Sequence, residues 1–141
     1  MKTKHKIIVL TLVLAVITFM TGRQIWPPDP MGPTPSAVQL PLFMILSVFE
    51  SVAFGLGVSF LIFGWPMVKK LYGNDLLTKL AFLSVAWYLI NWWPHDNLHI
   101  HNGMNLDGLL KIEYGFHVTM IIAGVILAKF FIKRILKQKV D

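Results

Sequence analysis

Cysteine is absent from this chain of 141 residues. Its absence excludes disulfides, thiolate metal sites, c-type haem attachment and a cysteine nucleophile. Charged residues are also scarce at 14%, whereas a soluble domain carries about 25%. Because 55% of the residues are hydrophobic, so short a chain has too little interior to bury its apolar surface. A lipid bilayer is the environment that fits this composition.

Four apolar stretches are each long enough to cross a hydrocarbon core of about 30 Å as a helix. They span residues 7–26, 40–66, 76–93 and 109–132. The sequence therefore predicts an all-α integral membrane protein, with one domain over residues 1–141 folded as a four-transmembrane-helix bundle. The first stretch follows a basic head and could instead be a cleaved signal peptide, but no small-residue cleavage site follows it, and we expect a retained helix.

The net charge of +6 does not indicate nucleic-acid binding, because the positive charges flank the apolar stretches. Of the 13 lysines and arginines, all but Arg23 and Lys111 fall at the two termini or near the connection between the second and third stretches. The positive-inside rule then predicts a multi-pass protein of the cell membrane with both termini cytoplasmic. It places the proline-rich loop at 26–35 and the histidine-rich loop at 94–108 on the extracytoplasmic side.

The most distinctive segment follows the third stretch and holds three of the five histidines within seven residues. It reads Trp92-Trp93-Pro94-His95-Asp96-Asn97-Leu98-His99-Ile100-His101. If residues 94–103 form a short outer helix with Pro94 at its first position, His95 and His99 share a face and His101 points away. If they form an extended loop, His99 and His101 share a face instead. Two imidazoles converge in both cases; the alternative is a solvated loop without a site.

Three more polar side chains lie inside apolar stretches. Glu113 and His117 are one helical turn apart in the fourth stretch, and Glu50 lies in the second. Ionisable groups at membrane depth are costly and usually mark a functional site. Counted from the outer boundary, Glu50 and His117 have similar depths, which predicts that they meet across the bundle. The alternatives are a Glu113–His117 pair that joins helices and a neutral Glu50 bonded to a carbonyl or serine.

Histidine and carboxylate without thiolate are typical ligands of copper, zinc or iron. We therefore predict a transition-metal site in the outer half of the bundle, with copper or zinc favoured over iron by the outward location. Asp96 is either a ligand or a partner that orients an imidazole. The predicted ligand set is His95, Asp96, His99, His101, Glu113, His117 and Glu50.

Several functions remain compatible with such a site. The metal could support redox or oxygen chemistry, or the chain could be a non-catalytic accessory subunit of a larger membrane metalloenzyme such as a monooxygenase or oxidase. Glu50 and His117 could instead belong to a proton or metal-ion transport component. A b-type haem is a further option, though it needs two facing histidines within the membrane. The expected partners are the lipid bilayer and either further copies of the chain or other membrane subunits.

Overall fold

The computed structural model describes residues 2–32 and 34–138, with side chains up to Leu136. The helices are α1 (Thr3–Ile25), α2 (Leu40–Phe63), α3 (Trp65–Tyr72), α4 (Leu76–Ile90), α5 (Trp92–Asn102), α6 (Leu106–Glu113), a π-helical turn (Tyr114–Val118) and α7 (Thr119–Gln138). No strand occurs in the described ranges. The prediction of an all-helical fold is confirmed.

Three helical segments are long and apolar enough to cross a membrane: Thr3–Ile25, Leu40–Phe63 and the continuous helix Leu106–Leu136. Leu76–Ile90 is also apolar but shorter. Many large apolar side chains on these helices are exposed, for example Phe49 at 68% and Ile121 at 66%. Because contiguous exposed apolar surface is unfavourable in water, these helices have the character of a membrane protein.

Small residues on α2 allow its neighbours to approach closely. A Cβ atom added at Gly55 would lie 2.5 Å from the carbonyl oxygen of Thr11 on α1. One added at Gly57 would lie 2.7–2.8 Å from side-chain atoms of Ile90 and Leu89 on α4. Helix α2 therefore lies between α1 and α4, as small residues at membrane helix interfaces permit.

Polar contacts join α4 to the last helix. The hydroxyl of Tyr88 donates to the carbonyl oxygen of Met120 at 2.8 Å, and the indole N–H of Trp87 donates to Oγ1 of Thr119 at 3.1 Å. The order of packing is thus α1, α2, α4 and α7.

The predicted third helix, 76–93, is interrupted earlier than expected. Helix α4 ends at Ile90, α5 begins at Trp92, and Pro94 is the third residue of α5 instead of its first. Pro94 has no N–H to donate to the carbonyl of Ile90, and its ring crowds that carbonyl, which breaks the helix there. Asn91 keeps helical dihedral angles (φ −70°, ψ −25°), so α5 continues the path of α4 with a kink.

The other helices also differ from the predicted bounds. Helix α1 begins at Thr3, and the predicted stretch 40–66 divides at Gly64, with Pro66 in the first turn of α3. The fourth predicted helix begins earlier, at Leu106, where the side chain of Asn105 accepts from the N–H of Gly108. Some helices therefore extend beyond their apolar stretches into polar or lysine-rich residues, because backbone hydrogen bonding continues past the hydrophobic run.

A polar cluster fixes the end of the bundle where α4 begins. Asp75 caps α4: its carboxylate accepts from the N–H of Thr78 at 3.1 Å and from the Thr78 hydroxyl at 2.8 Å. These hydrogen bonds hold the pKa of the Asp75 carboxyl below its usual value. Arg134 on α7 donates to the carbonyl oxygen of Tyr72 at 2.5 Å and lies 3.7 Å from the Asp75 carboxylate. This set of residues, which we call the arginine cluster, ties α7 to the start of α4.

Candidate metal centre

Two imidazoles converge on one face of α5. His95 and His99 are four residues apart, and their Nε2 atoms lie 3.1 Å from each other. Their ring centroids are 4.5 Å apart. The segment is thus helical and not an extended loop, and this spacing places both rings on the same face of the helix.

Asp96 orients the first of these rings. Nδ1–H of His95 donates to Oδ1 of Asp96 at 2.7 Å. With the proton held on Nδ1, the lone pair of Nε2 points toward His99. An imidazole bonded to a carboxylate in this way is the usual arrangement of a metal-binding histidine.

Glu113 extends the group from the end of α6. Its Oε1 atom lies 3.1 Å from Nε2 of His99, and its Oε2 atom accepts from Nδ1 of His117. The His117 ring centroid is 5.2 Å from that of His95. Both carboxylate oxygens of Glu113 are therefore held by imidazoles from different helical segments.

A π-helical turn lies between Glu113 and α7. Such a turn holds one more residue than an α-helical turn and rotates the residues before it by about 100° relative to those after it. The Thr119 hydroxyl donates to the carbonyl oxygens of Gly115 at 2.8 Å and Phe116 at 2.9 Å, and so satisfies carbonyls in the widened turn. Trp87 donates to the same hydroxyl and stacks on Phe116 at a centroid distance of 6.0 Å. These contacts hold the turn that directs Glu113 toward α5.

His95, His99 and Glu113 form the group with metal-binding geometry. Their potential ligand atoms all lie within 4.8 Å of one another, and all three residues are partly buried. Nε2 of His99 lies 3.1 Å from both Nε2 of His95 and Oε1 of Glu113, so the three atoms face one another. Three electron-rich atoms facing one another are best satisfied by a cation. We call these three residues the His–Glu cluster.

Glu50 reaches this cluster from the opposite side. Its carboxyl interacts with that of Asp96, and from Asp96 a polar line of side-chain contacts runs through His95 and His99 to Glu113. The sequence predicted that Glu50 would meet His117, and the structure gives it a different partner. Counting depth from Leu40 missed this because α5 lies beside the first half of α2 and occupies the face that Glu50 presents.

His101 lies outside this polar line. Its Nδ1 atom donates to the carbonyl oxygen of Pro27 at 2.7 Å, which fastens the proline-rich loop to α5. Its ring points away from those of His95 and His99, as the helical alternative predicted. Five of the seven predicted ligands are therefore connected through side-chain contacts, Glu50 lies near Asp96, and His101 contacts the loop instead.

Asn91 is buried beneath the His–Glu cluster at 1% exposure. It precedes His95 by one helical turn, so the two share a face. Neither its Oδ1 nor its Nδ2 atom has a hydrogen-bond partner among the described residues.

The cluster is open on one side. The side chains of Glu113 and His117 are 43% and 50% exposed, and they lie on a surface that includes the exposed apolar residues Tyr114 and Val118. A Cβ atom added at Gly115 would meet nothing within 4 Å. The arrangement therefore combines converging ligand atoms with room for a further ligand or a second protein.

Comparisons with protein families, curated proteins and solved structures found no match for this chain, so the function has to be argued from its own geometry.

Proposed function

We propose that this protein binds a divalent transition metal ion at the membrane through His95, His99 and Glu113. The observation that carries the proposal is the convergence of two imidazole nitrogens and one carboxylate oxygen within 4.8 Å of one another. The three side chains are partly buried among apolar helices, and polar groups in such a setting need a compensating interaction.

The donor set narrows the choice of metal. Two histidines and one carboxylate are the protein ligands of many catalytic zinc sites and of non-haem iron sites, both of which leave positions open for water, oxygen or substrate. Copper(II) also accepts nitrogen and oxygen ligands. Zinc and copper remain our preferred metals, with iron as the alternative. An open position would supply Lewis-acid or redox chemistry when the metal is bound.

The residues around the three ligands support this assignment because their hydrogen bonds orient the ligand atoms. Asp96 holds the proton of His95 on Nδ1, which leaves Nε2 available as a donor. His117 donates to the second oxygen of Glu113 and leaves Oε1 directed at His99. On this proposal Asp96 and His117 position the ligands.

Metal titration of the purified protein tests the proposal. We expect detergent-solubilised protein, stripped with a chelator, to take up about one Zn²⁺ or Cu²⁺ per chain. Glu113→Ala should weaken binding by more than about 100-fold, because loss of a ligand exceeds the 10–100-fold effect of losing an orienting partner.

His101→Gln is the matched control, since it removes a histidine from the same helix but not from the cluster. It should bind the metal as the wild type does. Equal metal uptake by the wild type and the Glu113→Ala variant would contradict the proposal, as would no uptake by the wild type with any of the three metals.

A second candidate function is that of a subunit in a larger membrane assembly. The half-exposed Glu113 and His117 side chains favour it, because ionisable groups at membrane depth normally face protein or water and not lipid. A partner chain on this surface would cover them. Purification in a mild detergent tests this function: recovery only as a monomer would count against it.

Proton or metal-ion transport has less support. The polar line from Asp96 to Glu113 runs across the bundle at the level of α5, whereas a transport path would run along the helices. Our proposal includes cytoplasmic termini and an extracytoplasmic His–Glu cluster. It does not include a path for protons or metal ions between the two sides of the membrane.

A further inference from the structure

A cavity of about 490 Å³ lies beside the His–Glu cluster. It is enclosed by the loop between α1 and α2, the start of α2 and the last turns of α5. Its volume is within the range of roughly 300–1,000 Å³ that small-molecule sites occupy. Most of its wall is apolar and includes Pro28, Phe43, Ile100 and Met104, and His99 forms part of it.

Hydrogen bonds hold the loop between α1 and α2 against α5 beside this cavity. The N–H of Asp29 donates to the carbonyl oxygen of Ile100 at 3.1 Å, and His101 donates to Pro27. Gly103 adopts a φ of 57°, and a Cβ atom there would lie 1.8 Å from the Asp29 carboxylate. The loop can therefore lie against α5 only with glycine at this position. The cavity is thus preformed, as small-molecule sites usually are.

One permanent positive charge faces the cavity. Arg23, at the end of α1, lines it and makes no close ion pair with any residue that the structure describes, although its charge acts on the Glu50 carboxyl at longer range. Asp29 also lines the cavity, and Oδ1 of its carboxylate accepts from the N–H of Met31 at 2.9 Å within its own loop. The guanidinium group therefore has free donors, and guanidinium binds carboxylate and phosphate oxygens in pairs.

The cavity lies next to an apolar helix surface. Phe43, which lines it, is 44% exposed, and its neighbour Met44 is 53% exposed. A molecule lying among lipid chains against α2 could therefore enter the cavity from the side without crossing a polar barrier.

We propose that this cavity binds an anionic amphiphile, with its carboxylate or phosphate on Arg23 and its apolar chain against Phe43, Ile100 and Met104. A preformed apolar cavity with one unpaired guanidinium group selects for this chemistry. The position of His99 in its wall brings the bound molecule next to the His–Glu cluster. The proposal does not depend on metal binding, since neither Arg23 nor the apolar wall belongs to the cluster.

Photo-crosslinking tests this proposal directly. The full chain is placed in phosphatidylcholine nanodiscs and exposed to hexadecanoic acid carrying a diazirine on its chain, with the matching diazirine alcohol as the uncharged probe. We expect the acid to label peptides that contain Phe43 or Ile100 and the alcohol to label them about tenfold less, because it cannot form a charge-assisted bond with Arg23.

Variants assign the effect to the cavity. Arg23→Gln should reduce labelling by the acid about tenfold, whereas Lys111→Gln, which removes another cation near the same end of the bundle, should leave it unchanged. Met104→Trp fills the cavity and should also reduce labelling, which decides the question if Arg23→Gln does not fold. Circular dichroism and gel filtration check the folding of each variant.

A competition experiment separates the two sources of the anion. Displacement of the probe by phosphatidylglycerol would identify a membrane lipid as the ligand, and displacement only by unlabelled hexadecanoic acid would identify a free single-chain acid. Equal labelling by acid and alcohol, or labelling unchanged in both Arg23→Gln and Met104→Trp, would overturn the proposal. Labelling in the presence of a chelator should match that without it, so a failure of the metal proposal would remain distinguishable.

Discussion

The two polar clusters of this molecule lie at opposite ends of the α4–α5 path and are built on different principles. In the arginine cluster, the Arg134 guanidinium faces carbonyl and carboxylate oxygens, and Asp75 accepts from two donors of Thr78. In the His–Glu cluster, two imidazole nitrogens and a carboxylate oxygen, all three potential metal ligands, face one another.

The difference separates a structural cluster from a candidate site. Donors and acceptors match in the arginine cluster, so nothing further is needed to stabilise it. The His–Glu cluster instead brings three potential ligand atoms within 4.8 Å of one another, and the side chains of Glu113 and His117 are half-exposed. On our proposal, a metal ion completes this partly open arrangement.

The largest expected difference between the two ends of the bundle is in metal affinity, when one aspartate at each end is changed to asparagine. Asp96→Asn should weaken Zn²⁺ or Cu²⁺ binding about 10–100-fold, because the amide cannot hold the His95 proton as a carboxylate does. Asp75→Asn should leave metal binding unchanged. Isothermal titration of both variants measures the contrast, and equal affinities would break it.

A smaller effect on metal affinity is expected from a substitution that disturbs the π-helical turn. Thr119→Val removes the hydroxyl that bonds the carbonyls of Gly115 and Phe116, so Glu113 should be held less firmly toward α5. We expect metal affinity to fall less than about tenfold, since no ligand or direct partner is lost. Thr119→Ser keeps the hydroxyl and should behave as the wild type; a loss of affinity in both variants would show that the hydrogen bonds are not the cause.

The smallest effect concerns pH at the arginine cluster. Folding lowers the pKa of the Asp75 carboxyl from its ordinary 3.8, chiefly through the hydrogen bonds from Thr78. A lowered pKa means that the carboxylate stabilises the fold above that value and that this stabilisation is lost as the pH falls below it. Thermal unfolding should therefore show wild type more stable than Asp75→Asn at neutral pH, with the gap closing in acid. A gap that persists unchanged at low pH would mean that the capping interaction does not depend on the carboxylate's charge.

The pairing within α5 was predictable from the sequence because it is local. A spacing of four residues between His95 and His99 brings their rings together in any α-helix, and the only open question was whether the segment is helical. Gly103 at its end and the hydrogen bonds of the proline-rich loop answer that question in favour of the helix.

The partner of Glu50 was not predictable in the same way. Its depth was counted along α2 alone, as though all helices began at one level. In the structure α5 continues the path of α4 after the kink at Asn91 and lies against the first half of α2, so Asp96 reaches Glu50 first. The π-helical turn escaped prediction for a related reason: its widened backbone is stabilised by Thr119 and Trp87, which come from different helices.

The sequence by itself determined that the chain is helical, that it carries membrane-length apolar segments, and which side chains have ligand chemistry. These properties depend on composition and on spacing within single helices, where the backbone geometry is fixed. Only the tertiary structure decided which of those side chains meet, because the kink, the π-helical turn and the level at which each helix packs set distances between helices. It also revealed the cavity at Arg23, whose walls come from a loop and two helices that are distant in the chain.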